Sequence, residues 1–91
     1  MKLRACVNVN AVLSRVPFAE SDPHLPSGLQ IESSTDGGGC LLWYYRADSG
    51  SSPWAMNHRI ADYWMDSVDS AKAYALKFYL VPLDAWEVIE P

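Results

Sequence analysis

The sequence predicts an α+β domain: an antiparallel sheet of four to five strands with one main helix, at about residues 68–81, packed on one face. Three observations predict it. Cys40-Leu41-Leu42-Trp43-Tyr44-Tyr45-Arg46 is the longest unbroken run of large apolar and aromatic residues, and such a run bounded by turn residues reads as a strand with both faces covered. Residues 3–13 alternate apolar and polar at period two. Residues 68–80 carry an apolar stripe at helical spacing, with Asp66 or Ser67 to cap it and Pro82 to stop it.

In chain order, Leu3, Ala5, Val7, Val9, Ala11 and Leu13 share one side against Arg4, Cys6, Asn8 and Asn10, which predicts one strand through residue 13. Pro17, Pro23 and Pro26 then forbid lasting regular structure over 14–28, a loop pinned by Phe18 and Leu25. Leu29-Gln30-Ile31-Glu32 alternates again as a short strand. Asp36-Gly37 signals a hairpin turn, because glycine reaches positive φ without steric cost. Three successive glycines also suggest a phosphate cradle, but a strand follows them where a phosphate loop needs a helix N-terminus.

In the aromatic strand, Leu41, Trp43 and Tyr45 point one way and Leu42 and Tyr44 the other. A small sheet normally keeps one face wet. The second apolar face therefore calls for cover from this chain, a second copy or a partner. Residues 53–65 fit either a helix, started by Ser52-Pro53 and carrying Met56, Ile60, Tyr63 and Trp64 on one side, or a strand over His58–Met65; strand before helix suits the context. In the main helix, Ala71 and Ala75 let the axis lie close to the sheet, with Val68, Tyr74, Phe78 and Tyr79 beside them and Leu76 and Leu80 widening the stripe. Ala85–Glu90 reads as a final strand, with Trp86 and Val88 meeting the helix.

Ninety-one residues make a single domain that buries a little over about 60% of its unfolded surface. Eleven aromatic residues and 49% apolar content argue for a folded chain. The N-terminal segment has the basic residues of a secretion signal, but asparagines interrupt its apolar centre, and no run approaches the roughly 18 apolar residues of a membrane span. A cytoplasmic protein is expected. Cys6 and Cys40 are read as reduced core residues. Residues 1–46 hold four acids and four bases and residues 47–91 seven acids and three bases, so the whole net charge of −4 sits in the second half. That balance argues against direct nucleic-acid binding, which needs a basic footprint, and suits a basic partner protein.

Chemistry is sparse. On a helix, His58 and Asp62 would stand one turn apart as base and orienter of a hydrolytic site, although a surface ion pair explains the same spacing. Zinc held by Cys6, Cys40, His24 and His58 lacks paired-ligand spacing. No catalytic residue, metal or cofactor is expected. Asp62, Asp66 and Asp69 gather around the start of the helix, with Asp48 in the preceding loop. They read either as solvated caps or as an acidic patch that selects a basic partner. Trp54, in a Ser/Gly/Pro loop with Tyr63 and Trp64 nearby, reads either as a contact anchor or as a side chain folded back onto the core, and Tyr63 and Tyr44, the latter on the second strand face, are further contact candidates.

Asp66-Ser67-Val68-Asp69-Ser70-Ala71-Lys72-Ala73-Tyr74-Ala75 followed by Asp84-Ala85-Trp86-Glu87-Val88-Ile89-Glu90 resembles the helix-then-strand ending of small acidic proteins of bacteriophages and other mobile elements, anti-CRISPR proteins among them. The resemblance covers residues 66–91 and carries no site residues across. It implies stoichiometric, cofactor-free blocking of a host nuclease or regulator. The expected function is accordingly a non-enzymatic protein-binding inhibitor or modulator, for which the resemblance implies a phage origin, acting in the host cytoplasm on a nucleic-acid-processing or defence protein such as a CRISPR–Cas complex. The alternatives are a small assembly protein acting as a homodimer that buries Leu42 and Tyr44, and, third, a small hydrolase using His58.

Overall fold

Among the described residues, five strands and two helices follow one another as β1 (Lys2–Cys6), α1 (Val9–Arg15), β2 (Gly28–Ser33), β3 (Cys40–Tyr45), β4 (Arg59–Met65), α2 (Val68–Tyr79) and β5 (Glu87–Glu90), with 3-10 turns at Ala19–Ser21 and Met56–His58. The computed structural model describes residues 1–17, 19–22, 25–33, 38–47 and 54–91. Phe18, His24, the Asp36-Gly37 turn, Asp48 and the Ser52-Pro53 helix start lie outside the described residues. The strands form one sheet in the order β4-β3-β2-β1-β5, and every neighbouring pair is antiparallel. The α+β class and the main helix are as the sequence predicts, and Arg59–Met65 is a strand.

The alternation over 3–13 is where the chain departs from expectation. The strand ends at Cys6, and Val9–Arg15 is a helix. Asn8 is the cause: its side chain accepts the Ala11 amide at 3.1 Å, satisfying a donor that a helix start leaves orphaned. Val9, Val12 and Val16 also fall at i, i+3 and i+7, so the same residues serve a helical stripe. Val12 is fully buried and Leu13 exposed, the reverse of the strand expectation.

Both helices lie over one sheet face. Leu3 and Ala5 of β1, Leu29 and Ile31 of β2 and Cys40, Leu42 and Tyr44 of β3 share a buried cluster with Val12 of α1 and Ala71, Ala75 and Tyr79 of α2. Leu25 packs against this cluster. Ala71 and Ala75 have no exposed surface, because small side chains bring the α2 axis close to the strands. Ser67 caps α2 by accepting the Ser70 amide at 3.0 Å, with Asp69 in the first turn. The helix stops at Leu80, whose φ of 56° is left-handed, and Val81 turns back into the core. Leu76 is exposed and does not widen the buried stripe. Trp86 packs on the cluster, but Val88, opposite Leu3 on β1, lies exposed beyond the cover of α2.

Candidate functional site

Register decides which side chains reach the surface. Opposite the helices, one row across the sheet runs Arg4, Gln30, Trp43 and Asp62, and its neighbour runs Lys2, Glu32, Leu41 and Trp64. The chain itself covers much of this second face. The Arg59 guanidinium stacks 4.2 Å from the Trp43 ring centroid and 5.3 Å from that of Tyr45, donates to the Tyr45 hydroxyl, and pairs with Glu32 at 3.0 Å. Gln30, itself buried, accepts from Arg4 at 2.7 Å and donates to Glu32 at 2.7 Å. Trp54 packs edge-on against Tyr45 at 5.2 Å, with Arg4 4.9 Å from its ring. Cation–π stacking suits such a layer, because guanidinium keeps part of its hydration while the ring supplies negative charge density.

The structure corrects one expected contact, Tyr44, and decides between the two readings of Trp54. Tyr44 faces the helices, not a partner: it is 1% exposed and packs against Tyr63 and Tyr79. Trp54 folds back, half-buried, onto Tyr45. Leu42 is likewise inside the monomer core, so a dimer cannot use Leu42 and Tyr44 as its contact.

The exposed apolar surface lies instead along β4, at one edge of the sheet. Ile60 is the extra residue of a bulge, since Tyr44 pairs with Ala61 and Tyr45 with Arg59. Ile60, Tyr63 (43% exposed) and Trp64 (64% exposed) all reach solvent. The Trp64 ring stands over Gly39, where a Cβ would come within 2.6 Å of it and φ is +63°, so only glycine fits there. Asp62 is exposed on the same strand, and Asp66 and Asp69 are exposed where β4 turns into α2. Among the described residues none of the three forms an ion pair. An edge strand also presents a row of unpaired backbone donors and acceptors, a template for another strand.

Ile60 was not singled out by sequence as a contact residue, and Trp64 was named only as a neighbour of Trp54 and Tyr63. The cue for Trp64 is parity: two residues from Asp62 on a strand, it must share the face on which Asp62 stands. His58 closes a 3-10 turn and Asp62 lies inside β4, so the one-turn helical spacing of a base and its orienter is not formed. Cys40 is buried and donates to the Ser67 carbonyl at 3.3 Å, and burial pushes its thiol pKa up. Cys6 is exposed, contrary to expectation, because it falls on the face away from the helices. The two cysteines flank opposite ends of β2, too far apart for a disulfide. Among the described residues no His, Cys, Asp and Glu cluster suits a metal, and no helix is long and apolar enough to cross a membrane. No family model, curated protein or solved structure matches the chain.

Proposed function

We propose that this protein is a non-enzymatic binding protein that captures a larger macromolecule with a basic surface, as an inhibitor or modulator, through β4 and the start of α2. The observation that carries the reading is the edge itself: exposed Ile60, Tyr63 and Trp64 beside unpaired Asp62, Asp66 and Asp69. Aromatic anchors supply contact energy at interfaces, and a rim of one charge sign speeds association with its complement. The target class suggested by the resemblance of residues 66–91 is a host nucleic-acid-processing or defence protein, such as a CRISPR–Cas complex.

Reversing charge at Asp62, Asp66 and Asp69 together to Lys should weaken partner capture in a salt-dependent way. Unchanged capture in moderate salt removes the acidic patch from the account. The unpaired edge of β4 also favours a second reading, a homodimer joined edge to edge. Sedimentation at micromolar concentration separates the two, because self-pairing gives a dimer without any partner.

A further inference from the structure

The open side of β4 carries the contact proposed above, and backbone direction decides what form a partner can take there. The Ser33 amide donates to the Met1 carbonyl at 3.0 Å and the Val7 amide to the Ser27 carbonyl at 3.0 Å, so odd-numbered residues of β2 turn their backbone groups to β1 and even-numbered ones to β3. Carried through the register, this turns the even-numbered residues of β3 to β4 and the odd-numbered residues of β4 back to them. The N–H and C=O groups of Asp62 and Trp64 are left pointing away from the sheet. Among the described residues no strand lies beyond them, because β4 ends the strand order.

The sheet's other end, β5, is a poorer platform: four residues long, joined to β1 through a register shift, with Glu90 already paired to Lys2 at 3.1 Å. On the seven-residue β4, Asp62 and Trp64 both stand on the face away from the helices, Asp62 exposed and Trp64 64% exposed with its ring seated over Gly39. Directly opposed residues of paired strands share a face, with Cβ atoms about 5 Å apart. The side chains opposite these two therefore meet a carboxylate and an open indole ring. Lys or Arg answers both, by charge and by cation–π stacking. A second copy answers neither: it adds the same carboxylates along the same edge, and Arg59, the cation of β4, is committed to Trp43, Tyr45 and Glu32.

We propose that the partner docks by adding a strand: an extended segment with Lys or Arg at alternate positions pairs antiparallel with β4, its basic residues opposite Trp64 and Asp62 and a preceding one toward Asp66. The proposal rests on the reading of β4 as the contact edge and adds the form and charge pattern of what is captured. Main-chain bonds to Asp62 and Trp64 supply affinity without regard to sequence, and the alternating charges set register and choice of partner. Antiparallel addition continues the pattern of the sheet and gives the more stable ladder. The bulge at Ile60 ends the regular stretch on one side and the turn into α2 ends it on the other.

The test is amide NMR of the whole chain with end-capped peptides of seven residues, the length of β4, that begin and end with Lys and alternate it with Val. One peptide is unmodified, one is N-methylated on its central Lys residues, whose amides would face β4, and one on as many Val residues, whose amides would face away; all carry the same charge. The unmodified peptide should give saturable shifts at the Asp62 and Trp64 amides and slow their hydrogen exchange at least about tenfold. Methylation on Lys should weaken binding about tenfold or more, and methylation on Val should leave it within about threefold. Equal affinity of all three peptides, or a larger loss on methylating Val, overturns strand addition while leaving a charge contact at this edge standing. Absence of saturable binding overturns it too, as does a peptide-free dimer in sedimentation whose Asp62 and Trp64 amides already exchange slowly. Failure of the underlying reading registers separately, as host capture indifferent to charge reversal at Asp62, Asp66 and Asp69.

Discussion

At Arg59 one guanidinium touches Trp43, Tyr45 and Glu32 at once, so its removal strips cover from two rings and leaves the half-buried Glu32 carboxylate with the Gln30 amide but without its counter-charge. Arg59→Ala should lower stability by about 2 kcal/mol, read from the urea midpoint. Arg59→Lys should recover only part of that, since an ammonium keeps the charge but not the planar stack. A full recovery would mean that charge alone matters at this position. Cysteine reactivity gives a second check at this scale. Cys6 should react with a thiol reagent in the native state, whereas Cys40, buried and with its pKa raised, should react only on unfolding. Two fast thiols in the folded protein would contradict the placement of Cys40 under the start of α2. None of this was visible in residue type alone. Leu41, Trp43 and Tyr45 showed that a second face needed cover, but the residue that provides it comes from β4, and only pairing brings Arg59 beside them.

Among the elements, those with one dominant pattern were legible. The α2 stripe, its Ser67 cap and the proline that follows specify that helix locally, and the run of aromatic residues specifies β3. The failure at 3–13 has a physical origin. Valines at 7, 9, 12 and 16 satisfy period two and helical period in overlapping stretches, and the asparagine that breaks the tie looks, in a strand, like any outward polar residue. Asn8→Ala should therefore cost about 1 kcal/mol of stability, whereas Asn10→Ala, at an exposed position within α1, should be near neutral or stabilising. Equal effects in thermal unfolding would deny the cap its role. The edge position of β4 was likewise hidden, because strand order is set by long-range pairing and not by the composition of the strand.

For the whole molecule, the division of labour follows from how the two faces are filled. Helices and apolar side chains close one, stacked arginines and aromatic rings close most of the other, and β4 is left showing aromatic and acidic side chains at an open edge. The acidic second half was plain in the sequence; that its carboxylates would flank exposed Trp64 was not, since Trp64 owes its place to the register of β4 on β3 and to the glycine beneath its ring. The most direct measurement is quantitative capture from the native host, comparing wild type with the Asp62→Lys, Asp66→Lys, Asp69→Lys triple variant after confirming that both are folded. A binding protein working through this edge should retain a defined partner with the wild type and lose most of it with the variant, the difference narrowing as added salt screens the exposed charges. Equal recovery by both, at moderate salt, would contradict the account.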